Sequence, residues 1–321
     1  MCVPRPEPMG GGDPGARRGR GDAAGRTLYT AGRPRAHLPG RIIVIASSTR
    51  DLIGGSERVG GPAFYIGTAL HLLGAEAVVV TGEGAAAALL RGLHGIRVEV
   101  AGGGETLFSI DVDGDSRTLR LIRASRMELG GGAGAWGPGT YIISGTMGEI
   151  PVEVVEEAAD RGPVILDLQG FVREAADGGE VASSADLARG MMRRLAGLGV
   201  LVRGERFEFP PECRDEGIAE CSRRYGLDMA ITDAGNPFYL AVGGSIYRGH
   251  PIWGIHGEPI GVGDVFTAAL GHYLLSLGLP AEEAAARASA AATLKLRGRQ
   301  PWFTPAEVEG AARRVRVERL G

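Results

Sequence analysis

Lysine is almost missing from this chain. Its 321 residues carry 35 basic side chains, and all but Lys295 are arginine. That excludes a P-loop, whose lysine meets the transferring phosphates, and a protein-kinase lobe, which needs a lysine on its third strand. Lys295 lies in ATLKLRGR, within neither motif, and a pyridoxal enzyme would have only that residue for its Schiff base. A phosphate-handling protein of this composition must rely on backbone amides, arginine, metal or a helix terminus.

Cysteine is scarce too. Cys2, Cys213 and Cys221 make no disulfide framework and no metal quartet, and Cys213 and Cys221 read as ordinary reduced thiols. The six histidines show no metal-ligand spacing. No apolar run approaches the ~18 residues of a membrane helix, and no signal peptide precedes the apolar core, so a cytoplasmic address is expected. A net charge of −3 argues against nucleic acid as a partner.

Residues 1–40 differ in material from the rest. They hold nine glycines, six prolines and seven arginines, with almost no apolar periodicity. Such a segment buries too little surface to offset its ordering entropy, so it is expected to be a disordered extension. A solvated tail, sequence translated ahead of the true start, and an Arg/Gly arm for nucleic acid are the alternative accounts, the first two preferred.

From Arg41 the pattern alternates. Short apolar runs at 41–46, 77–80, 141–144, 163–167, 200–202 and 229–232 read as buried strands. Helical segments at 62–73, 84–92, 151–160, 184–197 and 214–225 lie between them, and 264–317 reads as helical throughout. Alternation of this kind predicts an α/β fold of three layers, α/β/α, around a mostly parallel sheet. Residues 97–123 depart from it: VEV, TLFSIDV and SRTLRLI, parted by turn signals, predict antiparallel strands inserted as a small β lid. The expected domain is therefore 41–321, with the lid at about 97–123.

Ligands of open α/β sheets bind beyond the carboxyl ends of strands. Asp51 follows the first strand, as a substrate contact or a turn cap, and Gln169 follows Asp167, as a polar contact or a turn filler. The strongest constellation is EPIGVGDVF at 258–266. Gly261 and Gly263 feed a helix that is apolar almost all round, which presents unpaired N–H groups and a positive dipole end to an anion without any lysine. Asp264 in its first turn is either a dipole partner or a general base.

G-V-G-D at 261–264 resembles the D-[TP]-x-G-A-G-D signature of the PfkB/ribokinase family of carbohydrate kinases. Gly60-Gly61-Pro62-Ala63 resembles its N-terminal Gly-Gly motif, Glu208 the Glu of its N-x-x-E motif, and Thr232 through Gly235 its nucleotide-side turn. The resemblance implies a ribokinase-like fold and transfer of a phosphoryl group from ATP to a hydroxyl of a small polyol, a sugar or a cyclitol such as myo-inositol. It implies Asp264 as base and the backbone of Gly261, Val262 and Gly263 as anion hole. Asp51, Gly60, Gly61, Tyr65 and Gln169 would meet the substrate, and Thr232 and Gly235 the nucleotide. Glu208 would act on Mg²⁺ indirectly, through its water shell. A homodimer through the lid is implied as well.

Several positions depart from the family pattern. Tyr65 stands where an Asn is usual, Glu205 where the Asn of N-x-x-E would be, Glu258 at the signature's Asp, and Ala234 and Pro237 at glycines of the nucleotide turn. The E-P-x-G-V-G-D form and GGPAFYIG look more like the archaeal and plant inositol-kinase-like branch. A nucleoside or sugar-phosphate kinase of the same family remains an alternative. So does a dinucleotide-binding oxidoreductase, since VVVTGEGAAA at 78–87 has the shape of a phosphate-binding fingerprint. A sensor that keeps the fold but only binds is the third.

Overall fold

Alternate residues of the first strand face opposite ways. Ile42, Val44 and Ala46 join one apolar core, while Ile43 and Ile45 join another. Burial on both faces is what a near-continuous apolar run demands of a parallel strand, and it requires helices on both sides of the sheet. Pro62–Leu72, Val262–Leu270 and Ala281–Lys295 cover the first face; Val152–Ala159, Ala185–Leu195 and Ile218–Tyr225 cover the second. Each fully buried Ile or Val side chain contributes roughly 1.5–3 kcal/mol. The three-layer α/β/α architecture follows from this division.

A computed structural model describes residues 41–113, 116–298 and 300–320. The extension expected over 1–40 lies outside the described residues. The large sheet has ten strands, in the order Arg316–Leu320, Ser245–His250, Phe238–Val242, Asp228–Thr232, Leu201–Glu205, Val164–Asp167, Thr140–Ser144, Ile42–Ala46, Ala77–Thr81 and Ile96–Val100. From Asp228–Thr232 to the Ile96 edge all neighbours are parallel; at the other edge the strands turn antiparallel. The carboxyl ends of the parallel strands thus open on one side, which positions the site.

A separate four-stranded sheet, Ser56–Gly60, Thr49–Ile53, Thr106–Asp113 and Ser116–Arg123, forms the lid. It corrects two expectations. The VEV segment belongs to the large sheet, as Ile96–Val100 pairs in parallel with Ala77–Thr81 after the helical crossover Ala85–Leu90. Asp51 lies on a lid strand, not in a loop after the first strand, because 49–53 and 56–60 form a hairpin whose charged residues hide the strand period. The lid is antiparallel except where 49–53 runs parallel to 106–110.

Two further expectations fail. Residues 264–317 are not helical throughout: Arg316–Leu320 alternates charged and half-buried positions as an edge strand beside Ser245–His250. Cys213 and Cys221 are not free thiols but a disulfide, with Cα atoms 5.4 Å apart. A short 3₁₀ turn, Pro211–Cys213, folds back on helix Ile218–Tyr225, so both sulfurs enter one core. No helix among the described residues is long and apolar enough to cross a membrane.

Candidate active site

The helix Val262–Leu270 begins at a residue only glycine tolerates. Gly261 has φ +80°, and a Cβ there would lie 2.3 Å from the Tyr65 ring. Gly263 is equally crowded: a Cβ would come within 2.7 Å of the Arg203 guanidinium. The first-turn N–H groups have no helical acceptor and collect the positive end of the dipole. Val262 is an exception, donating its N–H to Pro259 O at 3.2 Å. Gly261, Gly263 and Asp264 line one cavity of about 330 Å³, whereas Val262, expected with them, does not.

Asp264 is buried beside two charges it must reckon with. Asp167 ends its strand fully buried and accepts from Arg203 Nη1 at 2.9 Å and Thr267 Oγ1 at 3.1 Å on Oδ2, and from the Gln169 N–H at 3.2 Å on Oδ1. Arg203 gives its other arm to Thr232 Oγ1 at 2.8 Å. Burial first, and then the Asp167 charge, push the Asp264 carboxyl up to about 7; Arg203, Arg173 and a hydrogen bond from Gln169 Nε2 at 3.3 Å oppose the rise. A carboxyl poised near neutrality can take a proton and hold it.

Across the cavity stands the lid. Asp51, 5% exposed, accepts from Thr49 Oγ1 at 2.8 Å and lines the same cavity as Asp264. Phe108, Ile110 and Leu119 roof it, and Gly61, with φ +85°, brings the first helix against Ser47–Thr49. Tyr65 is both wall and strut: it lines the cavity, packs on Gly261 and stacks on Trp302 at 5.8 Å. Asp264, the first turn of its helix, a second carboxylate and apolar lid side chains thus converge on one space.

The arrangement matches known folds. A myo-inositol kinase described as converted from pyrophosphate-dependent myo-inositol-1 to myo-inositol-3 kinase superposes with a TM-score of 0.65 at 20% identity, over 85% of this chain and 98% of that one. A pyrophosphate-dependent kinase of the ribokinase family, solved with a pyrophosphate analogue and myo-inositol, gives 0.65 at 20%, over 84% and 99%. Phosphofructokinase-2 from Escherichia coli gives 0.62 at 13%, over 86% and 99%. The fold is ribokinase-like. No family model matches the sequence, and no curated protein does.

Within the ribokinase-like fold the expected residues separate into two groups. Asp51, Gly61, Tyr65, Gln169, Gly261, Gly263 and Asp264 meet on the cavity; Gly60 sits just behind Asp51, where a Cβ would strike its carboxylate at 2.1 Å. Thr232 reaches the site only through Arg203, and Gly235 lies on an exposed turn in which Ala234 takes φ +45°. Glu208 is 1% exposed, accepting from Arg173 Nη2 at 2.9 Å and from the Glu205 N–H at 2.8 Å. Glu205, not Glu208, lines the cavity. The dinucleotide fingerprint fails on geometry: the Glu105 carboxylate accepts from Ala85 N at 2.8 Å and fills the helix start where a pyrophosphate would lie.

Arg203 and Arg173 escaped the sequence reading. One signal was present: an arginine inside VLVRGE, a strand otherwise apolar, is stable only beside a buried acid. Nothing in the sequence names that acid as Asp167.

Proposed function

We propose that the protein is an ATP-dependent carbohydrate kinase acting on a hydroxyl of a small polyol, a sugar or a cyclitol. The carrying observation is that Asp264, the Gly261–Gly263 turn and Asp51 line one cavity roofed by the lid. Asp51 would hold acceptor hydroxyls beside Gly60 and Gly61, with Tyr65 as an apolar wall. An Oδ of Asp264 would take the proton of the attacking hydroxyl as its oxygen bonds to the terminal phosphorus and the bridging P–O bond breaks, its electron pair leaving with ADP. The N–H groups of Gly261, Gly263 and Asp264, with Arg203 beneath them, would meet charge growing on the phosphoryl oxygens.

The residues fit a phosphate, since the cradle combines a helix start with a buried guanidinium that also lines the cavity. Among the described residues no cluster of acids suits a metal cage. Mg²⁺ would thus ride on the donor phosphates, screening their charge, with Glu205 nearest and Glu208 acting through Arg173 and Glu205. Thr232 and Gly235 would lie on the nucleotide side.

A second donor merits the same assay. Arg173 and Arg203 bring two cations to the cavity, and three of the similar structures are of kinases described as pyrophosphate-dependent. Pyrophosphate would need the cradle and no adenine contact. The test is phosphate transfer from ATP or pyrophosphate, with Mg²⁺, to myo-inositol, ribose, fructose phosphates and nucleosides, by wild type and Asp264→Asn. Transfer to a polyol that drops about 10³-fold or more in the variant is expected. Equal rates in the two proteins would remove Asp264 as base.

We place the reaction in the cytoplasm, where nucleotide donors are made. Burial of Cys213 and Cys221 shields their bond there from attacking thiolates. We also propose a homodimer through the lid, whose strand carries Ile122 at 51% exposure; light scattering on wild type and Ile122→Asp checks it.

A further inference from the structure

The only lysine of the chain is buried against the anion turn. Lys295 ends the helix Ala281–Lys295 and is 2% exposed. Its Nζ donates to the main-chain oxygen of Glu258 at 3.0 Å and to that of Ile260. It also lies over the rings of Tyr65 and Trp302, at 5.2 and 5.9 Å from their centroids. The next residue completes the clamp, for Leu296 O accepts from the Glu258 N–H at 3.0 Å. Residues 258–260 lead directly into Gly261, so the carbonyls gripped by the ammonium and the N–H groups of the cradle belong to successive peptides of one turn.

An ammonium in this place is costly, because burial removes its hydration and pulls its ionisation down to about 8, against the pull of Glu258 and Asp264. An apolar side chain of similar length would fill the space without that cost. What it would not supply is a cation for two carbonyl dipoles that otherwise point at each other. The Ile260 carbonyl shares a peptide with the Gly261 N–H, so holding that oxygen inward turns this N–H, the first of the cradle, outward toward the cavity.

We propose that Lys295 is a positioning residue for phosphoryl transfer: its ammonium, on the far side of the turn from the substrate, holds the turn so that the N–H groups of Gly261, Gly263 and Asp264 are aimed at the transferring phosphate. This rests on the phosphotransferase reading above and assigns the turn's geometry to a charge that touches no reactant. Tyr65 and Trp302 serve as its apolar and π-faced socket.

The test compares wild type, Lys295→Met and Lys295→Arg, with melting temperatures measured alongside. Misaimed donors cost rate more than affinity, so Lys295→Met should lower kcat about 100-fold with the polyol KM changed less than about threefold. The pH profile gives a second readout. Groups facing the ammonium are Glu258 and Asp264 on the turn, Tyr65 on the first helix, and Asp51 and Arg58 on the lid hairpin that share its cavity. Wild-type kcat should fall above about pH 8 as Lys295 loses its proton, and Lys295→Arg, charged throughout, should lose that fall.

One lysine in the chain allows a readout independent of activity or of variant folding. Protein labelled with ¹³C-lysine has a single ε-methylene signal, expected to shift when inorganic phosphate is added to the wild type. Wild-type kcat in Lys295→Met, or a lysine signal indifferent to phosphate, would overturn the proposal. Either result would leave the Asp264→Asn comparison, and the kinase reading, standing.

Discussion

Gln169 donates from Nε2 to Oδ1 of Asp264 at 3.3 Å, joining residues 95 positions apart across the mouth of the sheet. The same amide lies 3.4 Å from Ser144 Oγ, and the Gln169 backbone N–H meets Asp167. One residue therefore touches both buried carboxylates, Asp167 and Asp264. It holds the Asp264 carboxyl as well as lining the cavity.

Removing that donor should raise the Asp264 ionisation further, because the bond favours the charged carboxylate. Activity requires the ionised form, so wild-type kcat/KM should rise with pH through about 7. Gln169→Leu should move the inflection alkaline by roughly one pH unit, the worth of one hydrogen bond to a charged group. Steady-state rates between pH 5 and 9 check this.

Asp264→Asn should trade activity for stability. The folded carboxyl binds its proton up to about 7 and the unfolded one only to about 3.8, so the ionised form costs stability that grows as pH rises between those values. At pH 8 the variant should be more stable than wild type by on the order of 3 kcal/mol, and at pH 4 about equal. Denaturant titrations at the two pH values decide it.

Arg203→Met should leave the buried Asp167 carboxyl partnered only by neutral donors. A loss of about 3–5 kcal/mol is expected, with Arg203→Lys only a partial remedy since one ammonium cannot span Asp167 and Thr232. Adding Asp167→Leu to Arg203→Met should recover stability while activity stays lost. Unfolding curves for the single and double variants test the pairing.

Thiol titration under denaturing, non-reducing conditions should find one reactive cysteine, Cys2, of the three. Reduction of the Cys213–Cys221 loop should lower stability by about 2 kcal/mol, the chain-entropy estimate for so short a loop. A melting curve with and without reductant reads the change, and three free thiols would exclude the bond.

Much of the fold was legible because its signals are local. The apolar strands, the helix at 62–73 and the Gly261 turn each follow from periodicity or backbone freedom within a few residues. The lid hairpin at 49–60 was not, since its strands carry Arg50, Asp51, Glu57 and Arg58 and show no clean alternation. Arg316–Leu320 hid for the same reason. These strands are half solvated, and the hydrophobic pattern that announces a buried strand is absent from them.

By itself, the sequence determined that its one lysine lies in no phosphate-binding motif and that a glycine turn precedes an apolar helix. Those are properties of side-chain inventory and local backbone geometry. Only the tertiary structure decided where the one lysine goes, which acid Arg203 answers, that Glu105 closes the rival phosphate site, and that Cys213 meets Cys221. Each is a contact between residues on different elements, and its partner is set by how layers pack, which no local pattern encodes.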